Sequence, residues 1–202
     1  MKTVSGLFDT YAHALEAVHA LNAAGITNTD VSLIANSPEG VGKPFDIVGK
    51  DLTAGAELGA ALGGAGGLLA GLGVIAIPGL GPVLAGGWLV AAAIGAVAGA
   101  GVGAATGGVI GLLTSAGVPE PDAQIYAEGL RRGGTLVSAR VGDELAEMAF
   151  DVLRRANGID IEDLRRVYEQ EGWSGFDDNA AATTPEQEAD ARDRYPLVPP
   201  FL

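Results

Sequence analysis

The titratable side chains of this sequence form no spacing that is typical of a catalytic or metal-binding site. His13 and His19 lie six residues apart on a predicted helix, which separates them by about 240° around the helix axis. Two such side chains cannot bind one metal ion from one face, and we interpret both as surface residues. Asp143, Glu144 and Glu147 cluster where another helix is predicted to begin. The helix dipole favours carboxylates at that position without any catalytic role.

A phosphate-binding loop is not indicated either, although the chain contains 32 glycines. Such a loop needs a strand, a compact glycine turn and a helix start, with a lysine for a nucleotide. The absence of cysteine excludes disulfides, thiolate metal sites and cysteine nucleophiles. The formal net charge of −13 disfavours nucleic acid, whose phosphates it would repel. We therefore predict a protein that is not an enzyme and has no cofactor, metal or nucleic-acid partner.

The elements of the chain are arranged around one uncharged stretch, which runs from Leu58 to Pro119. Within and just before it, glycine recurs at every fourth position in two series. The first series is Gly55, Gly59, Gly63, Gly67 and Gly71, and the second is Gly95, Gly99, Gly103, Gly107 and Gly111. A four-residue repeat keeps small residues on one stripe of a helix, where two helices can approach closely. These ten glycines are the predicted residues of helix packing and oligomerisation.

The segment Pro78-Gly79-Leu80-Gly81-Pro82 separates the two series and has the residues of a turn. We therefore predict an inserted helical hairpin over 51–117, with helices at Thr53–Ile77 and Val83–Ser115. Each interior glycine costs a helix roughly 0.8 to 1 kcal/mol relative to alanine, so such helices need tight packing or a bilayer. Two alternatives stay open at this point, a hairpin inserted in a membrane and a soluble hairpin that self-associates.

The flank over residues 1–50 has the pattern of a β-α-β unit followed by a linker. Val4–Phe8 is prone to form a strand, Asp9 and Thr10 can cap a helix that Gly25 ends, and Asp30–Ala35 is a second strand. A short helix between two strands favours a parallel, right-handed crossover.

The flank over residues 118–168 repeats this order after a short helix that runs from Pro121 to Leu130. Thr135–Val141 alternates as a strand, Asp143 opens a helix, and Ile159–Ile161 can add a fourth strand. We therefore predict an α+β fold, a ferredoxin-like split βαβ domain with the inserted glycine-zipper helical hairpin.

The C-terminal region over 169–202 is acidic and is predicted to be flexible. Trp173, Phe176 and the apolar residues 195–202 are candidate docking points, although a solvating tail is the interpretation that we favour.

Several stretches resemble one bacterial family. They are Gly6-Leu7-Phe8-Asp9-Thr10-Tyr11 with Ala17–Gly25 and Asp30–Ala35, then Gly117-Val118-Pro119 through Gly133-Gly134-Thr135-Leu136-Val137-Ser138, and Gly172-Trp173-Ser174-Gly175-Phe176. In these stretches the chain is similar to the bacterial heat-induced general stress protein family. The resemblance covers most of the chain and implies a β-α-β start, a glycine-rich apolar middle and a role in stress, without a mechanism.

These patterns predict a protein whose main partner is itself. Two apolar zipper helices exceed what one small domain can cover, so we predict a homo-oligomer, with membrane lipid as a further candidate partner. No secretory signal is evident in the first residues, which predicts a cytoplasmic location. A hairpin would leave both flanks, with Lys43, Lys50, Arg131 and Arg132, on the cytoplasmic side. The alternative function is a soluble oligomer that binds a small ligand or acts as a scaffold through the ferredoxin-like domain.

Overall fold

The computed structural model describes residues 1–36, 73–77, 80–91 and 108–177, which form a mixed α/β protein with an antiparallel sheet. The strands are β1 (Lys2–Phe8), β2 (Val31–Ala35), β3 (Gly73–Ile77), β4 (Gly81–Gly87) and β5 (Thr135–Val141). The helices are α1 (Tyr11–Ala23), α2 (Gly108–Ser115), α3 (Glu120–Arg131), α4 (Ala146–Arg155) and α5 (Ile161–Gln170).

The sheet has the strand order β1-β5-β2-β4-β3, and every neighbouring pair is antiparallel. Because β1 and β2 are both antiparallel to β5, they run parallel to each other with β5 between them. The predicted parallel relation of the first two strands is therefore confirmed. The central position of β5 explains why its residues 135–139 are all buried.

The two faces of the sheet are covered by different helices, because successive side chains of a strand point to opposite faces. On one face Val137 and Ala139 of β5 pack with α1 and α4, through residues such as Leu21 and Leu153. On the other face Leu136 packs with residues of α2, α3 and α5. The helices thus form two layers with the sheet between them.

The helices predicted over Thr53–Ile77 and Val83–Ser115 are wrong at the ends that face the turn, since residues 73–77 and 81–87 are the strands β3 and β4. The glycine repeat stops at Gly71 and resumes at Gly95, so no helical pattern supports the residues between them. That gap contains β-branched side chains, which favour strands over helices. They are Val74, Ile75, Ile77 and Val83.

The reversal of the chain between the two glycine series is confirmed, but it joins strands instead of helices. The N–H of Leu80 donates to the C=O of Ile77 at 3.1 Å, and Ile77 pairs with Gly81 across the β3-β4 hairpin. Helix resumes at residues 88–91 and again in α2.

The predicted fourth strand, Ile159–Ile161, is reduced to one bridge between Ile159 and Leu7. The N–H of Ile159 donates to the C=O of Leu7 at 2.8 Å. Asp160 then accepts a hydrogen bond from the N–H of Glu162 at 2.9 Å and caps α5. This N-cap starts a helix at the position where the strand would have to continue.

Nine of the ten predicted packing glycines lie outside the described residues. Gly111 is the exception, and it lies on α2 with no atom within 4 Å of the position that a Cβ would take. Within the described residues, no helix is both long enough and apolar enough to cross a membrane.

Replacing Gly111 with Ala is expected to raise the stability of the folded chain by up to about 1 kcal/mol, because alanine has a higher helix propensity and meets open space. Urea unfolding followed by circular dichroism measures this change. A loss of stability would show that Gly111 is closely packed after all.

Candidate functional site

The most completely buried charged group described is the carboxylate of Glu128 on α3, which is 0% exposed. It accepts hydrogen bonds from Arg131 Nε at 2.8 Å, Arg131 Nη2 at 2.6 Å and Arg132 Nε at 2.7 Å. The three residues are neighbours on the helix because they are three and four positions apart. Two cations thus satisfy one buried anion.

Arg132 extends this cluster to the C-terminal part of the chain. Its Nη1 donates to Glu171 at 2.6 Å, and its guanidinium lies 4.0 Å from the ring centroid of Tyr168 on α5. Burial lowers the pKa of Arg132, but hydrogen bonds to Glu128 and Glu171 outweigh it, so the pKa lies above its ordinary value. The cluster therefore fixes α5 and the following residues to α3 by charge as well as by packing.

The region after α5 packs on this cluster. The N–H of Trp173 donates to the C=O of Tyr168 at 2.9 Å, and Trp173 and Phe176 both pack against the core. These two predicted docking points are confirmed, whereas residues 195–202 lie outside the described part. Among the described residues, neither the hydroxyl of Tyr168 nor Nε1 of Trp173 has a hydrogen-bond partner. Burial raises the pKa of the Tyr168 hydroxyl, so it stays protonated.

A row of hydroxyl groups crosses the middle of the sheet on the face covered by α2, α3 and α5. Ser5 of β1, Ser138 of β5 and Ser32 of β2 are paired in register. The hydroxyls of Ser5 and Ser138 are 2.8 Å apart, and the hydroxyl of Ser32 accepts a hydrogen bond from the N–H of Leu89 at 2.8 Å. Ser32 and Ser138 are both 1% exposed, so these two hydroxyls do not face solvent, whereas Ser5 at the edge of the sheet is half-buried.

One end of this face carries an ion pair that is open to solvent. Arg140 Nη2 donates to Asp30 Oδ1 at 2.9 Å, and its guanidinium lies 5.0 Å from the ring centroid of Trp88. The hydrogen bond from Thr27 and the interaction with Arg140 lower the pKa of Asp30. The pair joins β5 to the start of β2 and to residue 88, which follows β4.

A groove runs along the outer edge of β1, between α3 and α4. Its lining includes Ser5 and Gly6 of β1, Tyr126 of α3, Phe150 and Arg154 of α4, and Asp160. The hydroxyl of Tyr126 donates to the C=O of Ser5 at 2.9 Å. Phe150 is 48% exposed, which is high for an aromatic side chain of this size. The groove therefore combines strand backbone with an open apolar wall.

The residues that the sequence singled out for chemistry are not brought together. His13 Nδ1 lies 2.7 Å from Asp9 Oδ1 near the start of α1, and His19 is exposed. Asp143 and Glu144 are in the 3₁₀ turn that precedes α4, and Glu147 is in the first turn of that helix, as the structural interpretation expects. In the part of the chain that is described, no group of three or more His, Asp or Glu residues could hold a metal ion.

The sequence missed Glu128, although a signal for it exists. A glutamate followed by arginines at positions i+3 and i+4 predicts ion pairs on one helix face. The pattern does not show that this face is buried, because the burial comes from α5 and the residues that follow it.

Comparison with known proteins found no match: no family model, no curated protein and no solved structure matches the chain.

Proposed function

We propose that this chain is a non-enzymatic, stress-associated protein whose copies associate through its two glycine series. The observation that carries the proposal is the β3-β4 hairpin, in which Gly73 pairs with Ala85. The first series ends two residues before Gly73, and the second begins at Gly95, eight residues after Gly87. The hairpin thus brings Gly73 and Gly87, the strand ends nearest in sequence to the two series, to the same end of the sheet.

The composition of β3 supports the same proposal. In the described sheet β3 is an edge strand, and its sequence, Gly-Val-Ile-Ala-Ile, contains no charged residue. Monomeric proteins commonly protect such edges with charged side chains, with proline or with a covering segment. An apolar edge next to two glycine series favours contact with a further copy of the chain.

The domain that presents this segment is, we infer, of the ferredoxin-like kind. Two observations support the inference. A split βαβ unit needs parallel first and second strands with another strand between them, as in β1-β5-β2. It also needs the crossover helices on one face, and α1 and α4 share the same core. In such a domain, the single bridge of Ile159 to Leu7 takes the place of the fourth strand.

The proposed association is tested by replacing Gly99, Gly103 and Gly107 together with Leu. If these glycines line a helix contact, the added bulk is expected to weaken association about tenfold or more, even though helix propensity rises. Leucine at Ala98 and Val102 is the matched control and should have a much smaller effect. Sedimentation velocity over a range of concentrations measures both variants.

The distribution of the triple variant between the membrane and soluble fractions distinguishes a contact in a bilayer from a contact in water. If the contact lies in a bilayer, the variant stays in the membrane fraction after a carbonate wash and only its oligomeric state changes. If the contact lies in water, the variant exposes apolar surface and aggregates. An unchanged oligomer in every fraction would overturn the proposal.

The role in stress rests on the resemblance to the heat-induced general stress proteins, and the cytoplasmic location rests on the first residues, in which no secretory signal is evident. Quantifying the chain by immunoblot before and after a heat challenge, in separated cell fractions, tests both. A constant amount after heating would remove the stress-associated part of the proposal and leave the association through glycines intact.

A further inference from the structure

The edge of β1 carries backbone groups that the described residues leave free. In an antiparallel pair the N–H and C=O of one residue point to the same side, and successive residues alternate. The C=O of Leu7 points away from β5, because it accepts from Ile159. The backbone N–H and C=O groups of Ser5 and Thr3 therefore also point away from β5. Among the residues described, none accepts a hydrogen bond from the N–H of Ser5 or from that of Thr3.

The bridge at Ile159 shows how a segment can pair with this edge. Ile159 lies opposite Leu7 in antiparallel orientation, and Asp160 then directs the chain into α5. An extended segment beside Ser5 and Thr3 would continue the line that Ile159 begins. Strand addition of this kind gains backbone hydrogen bonds along the edge and side-chain contacts in the flanking groove.

We propose that residues 195–202 of this same chain dock along the free edge of β1 as an extended segment. They read Tyr-Pro-Leu-Val-Pro-Pro-Phe-Leu and contain no charged residue, in contrast to the acidic stretch before them. Apolar side chains of this segment cover the exposed ring of Phe150, which is part of the groove wall. The proposal does not depend on the glycine series.

The prolines of the segment suit this edge. Proline has no N–H to donate, so it is tolerated in a strand only where no acceptor is left without a partner. The hydroxyl of Tyr126 already satisfies the C=O of Ser5. A proline opposite Ser5 therefore leaves no buried acceptor unpaired, while a carbonyl of the same segment can accept from the N–H of Ser5.

The length of chain between the described residues and this segment permits the docking. The described chain ends at residue 177, and residues 178–194 link it to the segment. Seventeen residues can span about 55 Å when extended, which exceeds the diameter of about 35 Å expected for a domain of this size. An intramolecular segment on such a linker has an effective concentration in the millimolar range.

Amide hydrogen exchange, measured by NMR on the full chain and on a chain that ends at Arg194, tests the proposal. The N–H groups of Ser5 and Thr3 are expected to exchange about tenfold faster in the shortened chain, because their acceptor is lost. The amides of Val4 and Gly6 bond to β5 and serve as internal controls that should not change. Adding a synthetic peptide of residues 195–202 should restore the protection of Ser5.

A matched pair of variants tests the groove in the full chain. Phe150→Ser removes the apolar wall and should speed the exchange of the Ser5 amide, whereas Leu145→Ser alters an exposed apolar residue outside the groove lining and should not. Equal exchange at Ser5 in the full and shortened chains would overturn the proposal. Protection that persists in the shortened chain and grows with protein concentration would also overturn it and assign the edge to a second copy.

Discussion

Replacing Glu128 with Gln is expected to lower the free energy of unfolding by about 2–4 kcal/mol. Gln keeps one acceptor but places an NH₂ group where Oε2 receives Nε of Arg131, so two donors meet in a buried site. The change also leaves two guanidinium groups without their shared anion. Arg131 and Arg132 remain 31% and 18% exposed and can turn toward water, which keeps the expected loss below that of a fully buried pair.

Asp151→Asn is the matched control, because Asp151 also pairs with an arginine three positions along its helix, Arg154 at 3.1 Å. This pair is exposed, and exposed pairs contribute about 0–1 kcal/mol. Urea unfolding of both variants gives the comparison, with the slope of the transition checking that the same structure unfolds. Equal effects of the two changes would mean that the Glu128 cluster is not desolvated in solution.

The local patterns of residues 1–36 were sufficient to predict their two strands and the helix between them. The predicted strand, helix and strand correspond to β1, α1 and β2. Thr10 caps α1 through a hydrogen bond from the N–H of His13, and Gly25 follows the helix with a φ of +90°. These signals are encoded within a few residues, so a sequence pattern contains all of the information that they need.

The position of β5 between β1 and β2 was less accessible, because pairing between distant strands leaves little local trace. The β-α-β pattern of each flank is visible, but the order of the strands depends on which hydrophobic faces meet. The single bridge of Ile159 at the sheet edge also shows that local patterns do not determine strand pairing. Ile159-Asp160-Ile161 has strand propensity at both ends, yet the capping of α5 by Asp160 prevails over it.

The candidate sites show why function was harder to predict than fold. The cluster of Glu128 joins α3 to residue 171, forty-three positions later, and the groove beside β1 is lined by residues from α3, α4 and the turn before α5. Such sites depend on tertiary proximity. The sequence indicated Trp173 and Phe176 as docking points only because large aromatic side chains are unusual in an acidic region.

The second large effect is expected at Gly87, where β4 meets β2. This residue has a φ of +96°, and a Cβ there would lie 2.2 Å from the carbonyl oxygen of Val31 and 2.6 Å from Cα of Ser32. Those atoms belong to the backbone of a central strand and cannot turn aside. Gly87→Ala therefore combines conformational strain of roughly 1–2 kcal/mol with overpacking of a similar size, for a total loss of about 3 kcal/mol.

Gly25→Ala separates the two contributions, because Gly25 has a similar φ of +90° but no atom within 4 Å of its Cβ position. It should lose only the strain of roughly 1–2 kcal/mol. The sign of the Gly87 result also distinguishes the strand from the helix that the sequence predicts over 83–115. In a helix interior, alanine at Gly87 would stabilise the chain by about 1 kcal/mol. A stabilised Gly87→Ala variant would therefore show that β4 is not a strand of the sheet, and it would remove the hairpin on which the proposed association rests.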